Sequence, residues 1–352
     1  MAKRKLSRAA RQQLRQGLGF VIACGLIVAL GWGAWQWWLT PTPPLPRPDL
    51  TRVTGPLTLP STPAAPAATA GPEAAVLPSP SPAVPAPVPR VVPPLMPAEA
   101  PRYQVNAVAF TPQPGVPMVV IVLDDIGVSA KNSAAAVALP GPLTLSFLAY
   151  GEATARLAPQ ARQQGHEVMV HLPMEAAFAA TEVPVGYGPH PLLVQQDPTQ
   201  RQANFQANLR PLRAVAVGIN NHMGSALTAQ RDLMAQVLSW TAAERMFFLD
   251  SMTTPHSQTR YAQQDLRTTQ GFAAAPPVLY RDVFLDHEIT PAFINAALAK
   301  TIATAKRKGY AIAIGHPHPE TVAALRAWLP TLAQQGVQLA PITAVLSQKV
   351  KP

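Results

Sequence analysis

Five apolar runs in this chain stop at polar clusters, and that recurrence narrows the folds open to it. Val119-Val120-Ile121-Val122-Leu123 stops at Asp124-Asp125, and Val168-Met169-Val170 stops at His171. Val215-Ala216-Val217-Gly218-Ile219 leads to Asn220-Asn221-His222, and Met246-Phe247-Phe248-Leu249 leads to Asp250-Ser251. Ala311-Ile312-Ala313-Ile314 leads to Gly315-His316-Pro317-His318. The runs are continuously apolar, as strands covered on both faces are. Parallel strands bring their C-terminal ends to one face, where α/β barrels hold their catalytic groups. Five clusters at the same point of five strands predict one polar, metal-capable site.

Between the runs lie Ala-rich stretches with helical character, at 130–138, 152–164, 197–209, 229–243, 291–308 and 319–335. With further strand-like runs at 143–148 and 337–342, the count is seven or eight β/α units. Residues 117–348 are the right size for one (β/α) barrel.

The remainder of the chain reads differently. Residues 1–16 carry Lys3, Arg4, Lys5, Arg8, Arg11 and Arg15, with no acid before Asp49. An apolar stretch at 17–39 follows, long enough to span a bilayer at roughly 20 residues. Basic residues before it place that end in the cytoplasm, and Trp32, Trp35, Trp37 and Trp38 stand where an interfacial belt would. The expected topology is a single-pass anchor with the bulk of the protein outside the cytoplasm. Two other readings of the segment are a cleaved signal peptide and a lipoprotein signal at Val21-Ile22-Ala23-Cys24. Residues 40–116 are Pro/Ala-rich and hold more than half of the chain's 41 prolines. Such a segment reads as a semi-extended spacer of polyproline type.

Much of the net charge of +10 sits in the basic tail. The barrel region has no Lys/Arg stripe interleaved with aromatics, so nucleic acid is not an expected partner. Cys24 is the only cysteine and lies in the apolar stretch. No thiolate metal site or cysteine nucleophile is therefore expected in the exported part.

The polar clusters set out the chemistry. Two adjacent acids after a buried strand are costly, since like charges repel and burial penalises both. A metal, or a division of roles between ligand and base, accounts for Asp124 and Asp125; an N-cap before the next helix is the plainer alternative. His171 and Glu175, four apart, are both able to bind a divalent ion. Asn220, Asn221 and His222 could hold substrate or orient a water, or could cap a turn. Asp250 reads as either a helix cap or a group supporting the ligands. Arg281 and Asp282 form either a structural ion pair or a device that orients a neighbour. His316 and His318 flank Pro317 and suit proton donation or metal ligation.

Asp124-Asp125-Ile126-Gly127 resembles the first motif of the polysaccharide deacetylase (NodB-homology) superfamily. Gly165-His166-Glu167-Val168, with His171 and position 175, is similar to its second motif, where two histidines bind the metal; Glu175 replaces the second. Asp250-Ser251 resembles the fourth motif, and His316 or His318 the final histidine. With His171-Leu172-Pro173-Met174-Glu175, Asn220-Asn221-His222-Met223-Gly224 and Gly315-His316-Pro317-His318-Pro319-Glu320-Thr321, residues 117–348 resemble the divergent polysaccharide deacetylase family of bacterial envelopes. The resemblance implies an incomplete seven-stranded β/α barrel and a divalent metal, usually zinc. It implies hydrolysis of an acetyl group on a polysaccharide. With the anchor read at 17–39, the expected place is the bacterial inner membrane, with the barrel in the periplasm. By carry-over, Asp124 is the general base, Asp125 and His171 are ligands with Glu175 as the third, and a histidine of the last motif is the acid. The family's Arg-Pro-Pro-Tyr-like third motif is absent; Asn220–Gly224 stands in its place. The competing expectation is a catalytically silent barrel that binds glycan or an envelope protein partner.

Overall fold

A computed structural model describes residues 100–177 and 187–349. The expected membrane span at 17–39 and the linker up to residue 99 lie outside the described residues. Among the described residues no helix is long and apolar enough to cross a membrane.

The chain alternates strands and helices. In order they are β1 (Met118–Ile126), α1 (Ala130–Val137), β2 (Thr144–Leu148), α2 (Thr154–Gln163), β3 (Glu167–Met174), α3 (Pro198–Leu209), β4 (Ala216–Met223), α4 (Arg231–Ala243) and β5 (Phe247–Asp250). Then come α5 (Thr259–Gln270), β6 (Val278–Tyr280), β7 (Val283–Phe284), α6 (Pro291–Lys308), β8 (Tyr310–Gly315), α7 (Pro319–Trp328), β9 (Gln338–Leu339) and α8 (Ile342–Lys349). Local chemistry sets the helix ends. Asp197 accepts from the N–H of Thr199 at 2.8 Å, with Pro198 at the first helical position. Thr290 and Pro291 repeat the device at α6. That helix ends on Lys306, Arg307 and Lys308, which complement its dipole, and on Gly309 at φ 87°.

All strand pairs are parallel, in the order β6-β5-β4-β3-β2-β1-β8-β7, with β9 added beside β1. β6 and β7 lie two residues apart in the chain but pair with opposite edges of the curled sheet. Arg281 N–H still reaches Asp250 O on the β5 side, while Asp282 N–H already reaches Ile312 O on the β8 side. One segment thus touches both edges without its two halves pairing to each other. Counted as one strand, it gives seven around the curl, with β9 as an addition.

Strand alternation sorts the core into two layers. Val119, Ile121 and Leu123 of β1 face the helices, with Val168, Val170 and Phe248. Met118, Val120 and Val122 face the interior, with Met169, Phe247, Leu249, Ile312 and Ile314. Ile342, Val345 and Leu346 of α8 join the interior layer beside Met118 and Tyr310, at the strands' N-terminal end. The 337–342 region is therefore a two-residue strand and the start of a plugging helix, rather than the full strand its apolar run suggests. Buried Glu167 ties this end together by accepting from the N–H groups of Val108 and Thr343, each at 3.2 Å. Residues 100–116, expected to belong to the spacer, are seated on the barrel. Asn106 donates to Ala216 O at 2.9 Å and Arg102 to Arg213 O at 3.1 Å.

Candidate metal centre

Alternation alone would send Asp124 and Asp125 to opposite faces. Asp124 shares the inward parity of Val120 and Val122. The register then slips: Leu123 pairs with Leu145 but Ile126 pairs with Phe147, one extra residue on β1. Asp125 takes φ 56° at this bulge. A bulge re-aims side chains in this way, and both carboxylates reach the mouth at the strands' C-terminal ends.

His171 on β3 and His222 at the end of β4 meet Asp125 there. His171 Nε2 lies 3.2 Å from Asp125 Oδ1, His222 Nδ1 lies 3.0 Å from the same oxygen, and the two nitrogens are 3.2 Å apart. Asp125 Oδ1 is buried and has no aligned hydrogen-bond partner despite these neighbours. Three lone-pair atoms in a near-equilateral triangle suit one divalent ion. Ligand distances of about 2.0–2.2 Å put neighbouring donors roughly 3–3.5 Å apart. The donor set, two imidazoles and a carboxylate, is also one that zinc-type ions accept.

Asp124 is buried beside this triangle, with Oδ2 3.8 Å from His171 Nε2. Asn220 donates its amide nitrogen to both carboxylate oxygens, at 2.9 and 3.0 Å. Burial pushes the Asp124 carboxyl above its ordinary range, against the pull of His171 and His316. Burial also works against ionised Asp125, but the adjacent His171 and His222 override it and hold that carboxyl well below the usual range. For His171, burial opposes the charged form and the two aspartates outweigh it, raising the pKa.

His316 follows β8 and faces the triangle with Nε2 4.0 Å from Asp125 Oδ2. Its Nδ1 contacts Asp286 Oδ1 at 3.0 Å, and its backbone N–H donates to Asp286 Oδ2 at 2.6 Å. Thr321 donates to Oδ2 as well, at 2.8 Å. Burial would lower the His316 pKa, but the Asp286 hydrogen bond and the charges of Asp125 and Asp124 raise it to about 9.

Asp124, Asp125, His171, His222 and His316 line a cavity of about 480 Å³, with Arg281, Phe284, His287, Met223 and Met252 forming more of its wall. A larger cavity, about 650 Å³, runs beside α7 from Pro291 to Trp328. Glu320 is its one ionisable lining residue, so the clustered titratable groups belong to the smaller cavity.

The structure departs from the expected site in several places. Glu175 is not with the ligands. β3 stays extended to Met174, and four residues of strand span about 13 Å, whereas a helical turn would have brought positions 171 and 175 together. Glu175 instead accepts from Val194 N–H at 2.6 Å, and His222 takes the third corner of the triangle. Asp250 turns away from the cavity, accepting from Met252 N–H at 2.8 Å and Ser257 Oγ at 2.6 Å. Asp282 is also outside, bound to Lys308 at 2.6 Å and to Ile312 N–H at 3.0 Å. Arg281 lines the cavity, but its Nε and Nη2 donate to Ser251 O and Met252 O. Asn221 spends its amide on Met223 O and Ser251 N–H. His318 stands at the N-cap of α7, its ring 5.7 Å from that of His316, and does not line the cavity.

Three residues enter that the sequence reading did not assign to the site. Ser251 accepts from Asn220 at 3.1 Å, and Ser146 donates to Asn220 Oδ1. Asp286 holds His316. Ser146 carried a signal, one of two hydroxyls, with Thr144, within the apolar run Leu143–Leu148. Ser251 could have been chosen over Asp250 by alternation, since Leu249 faces inward.

The sequence model described as divergent polysaccharide deacetylase matches residues 121–346. An uncharacterized Escherichia coli protein, YibQ, is 34% identical over 206 residues, covering 58% of this chain and 60% of its own length. An uncharacterized Haemophilus influenzae protein is 32% identical over 215 residues, covering 61% of this chain and 71% of its own. The chain thus spans under two thirds of the first of these relatives. A crystal structure of an uncharacterized Agrobacterium tumefaciens protein shares the fold, with TM-score 0.62 and 24% identity, over 70% of this chain and 95% of that one.

Proposed function

The chain belongs to the divergent polysaccharide deacetylase family, and from that premise we propose a divalent-metal-dependent hydrolase that removes acetyl groups from an envelope polysaccharide. In this reading residues 17–39 hold it in the inner membrane and the barrel works in the periplasm. The observation that carries the proposal is the triangle of Asp125, His171 and His222, with the buried Asp124 carboxyl beside His171 and the His316 imidazole facing Asp125.

A divalent ion, zinc being the usual one, would be held by Asp125, His171 and His222; when bound it supplies Lewis-acid polarisation of the acetyl carbonyl and acidifies water. Asp124 is the general base. Its burial raises its proton affinity, and Asn220 fixes both oxygens, so it is oriented to take the proton of the attacking water. His316 is the general acid. Asp286 keeps its Nδ1 occupied and its Nε2 toward the cavity, where it gives a proton to the leaving amine or alkoxide. Arg281, Phe284 and His287 form the wall against which the sugar would lie. Acetate release from acetylated envelope glycan, with and without added metal, tests the reaction. A reporter at the C-terminus, active only outside the cytoplasm, tests the topology, and a soluble form lacking residues 1–40 would contradict it.

A further inference from the structure

The geometry points to Asn220 as a positioning residue that sets the metal-binding nitrogen of His171 and the orientation of Asp124 at once. The inference rests on reading Asp125, His171 and His222 as the metal centre.

Asn220 lies on β4 beside His171 on β3, its direct partner in register. Its side chain is fully buried and meets five polar atoms of four residues. The amide nitrogen faces Asp124 Oδ1 at 2.9 Å, Asp124 Oδ2 at 3.0 Å and Ser251 Oγ at 3.1 Å. The amide oxygen faces Ser146 Oγ and, at 3.0 Å, His171 Nδ1.

Which end of an amide is which follows from its partners. An ionised carboxylate only accepts, so the –NH₂ group must face Asp124. The amide oxygen must then face His171 and Ser146. An oxygen only accepts, so His171 donates from Nδ1 and carries its proton there. In the neutral ring that a metal requires, Nε2 is left with a lone pair, aimed at Asp125 and His222. One neutral side chain thus converts the orientation of the base into the tautomer of a ligand. Ligand histidines generally have their second nitrogen fixed by such a partner. Here the same partner also clamps the carboxylate proposed as base, so the two cannot be set independently. Ser146 locks the amide by donating to the same oxygen.

Two exchanges separate the halves of this role. Asn220→Ala removes both. Asn220→Asp keeps an oxygen for His171 Nδ1–H and replaces the donor toward Asp124 with a second acid. In full-length protein loaded with cadmium-113, the metal should couple to His171 Nε2 while Nδ1 keeps its proton. Asn220→Ala should lose that protected Nδ1–H signal and bind zinc about 10–100-fold more weakly. At saturating zinc its kcat for acetate release should fall with KM little changed. Asn220→Asp should recover most of the zinc affinity and none of the kcat. Should Asn220→Ala fail to fold, Ser146→Ala should shift zinc affinity and the Nδ1–H signal in the same direction, by less. Coupling of cadmium to Nδ1, an Asn220→Ala protein with wild-type affinity and Nδ1–H signal, or full recovery of kcat in Asn220→Asp would overturn the assignment. Wild type that takes up no zinc would bring down the metal-centre reading and this inference together. Wild type that binds zinc but releases no acetate would remove only the deacetylase reading.

Discussion

His171 Nε2 and His222 Nδ1 stand 3.2 Å apart at the ends of neighbouring strands, with Asp125 Oδ1 closing the triangle. Two imidazole nitrogens and a carboxylate oxygen at this spacing are arranged as ligands. The first prediction follows from it. His222→Ala should weaken divalent-metal binding by at least an order of magnitude, as His171→Ala and Asp125→Ala should. Glu175→Ala should leave binding close to wild type, because that carboxylate serves Val194. Competition titration with a zinc chelator distinguishes the four. Loss of metal in Glu175→Ala with retention in His222→Ala would reverse the assignment.

The general base can be separated from the metal. Asp124→Asn should keep the fold and the metal and reduce acetate release on the order of 10²–10⁴-fold. Metal analysis and turnover on the same sample check this. Turnover equal to wild type would remove Asp124 from the chemistry.

The Asp286–His316 pair makes a pH prediction. In metal-free protein, the His316 ring should titrate near 9, against an ordinary value of about 6.5. A folded-state value above the unfolded one means that protonated His316 stabilises the fold. That contribution is complete below about pH 6.5 and is lost as pH rises through about 9. Asp286→Asn should move the ring's midpoint down, toward the ordinary value, and shrink the stability difference between pH 6 and pH 10. NMR titration of the ring and melting curves across that range provide the readout. An unchanged midpoint in Asp286→Asn would break the pairing.

The barrel interior makes a packing prediction. Gly218 sits on β4 where any Cβ would fall 2.5 Å from the Phe247 ring. Gly218→Ala should therefore overpack the interior and cost about 1–3 kcal/mol, read from denaturant unfolding. A midpoint matching wild type would mean that Phe247 has room the packing does not show.

Much of the barrel could be read from apolar runs and helix signals. The helix expected at 291–308 is present with the same bounds, and Asp124, Asp125, His171, Asn220, His222 and His316 gather as parallel strand ends should. What escaped depended on tertiary geometry. Glu175 entered as the counterpart of the second motif's second histidine, and the strand's persistence through Met174 separates it from His171. The two short strands within 278–284 stand outside the expected strand-like runs, because each is too short to show a strand pattern. Asp250 and Ser251 differ only in parity, which a bend after a four-residue strand disguises. Asp286 lies 30 residues from His316 and pairs with it only because β7 lies against β8.

The most direct measurement of the central claim is acetate released from acetylated envelope glycan by purified full-length protein, with metal removed and then restored. Release should be negligible without metal and should return on adding about one equivalent of zinc or a comparable divalent ion. It should not return in the His222→Ala protein. If wild type releases no acetate with zinc, cobalt, nickel or manganese supplied, or releases it equally without any metal, the metal-dependent deacetylase account is contradicted.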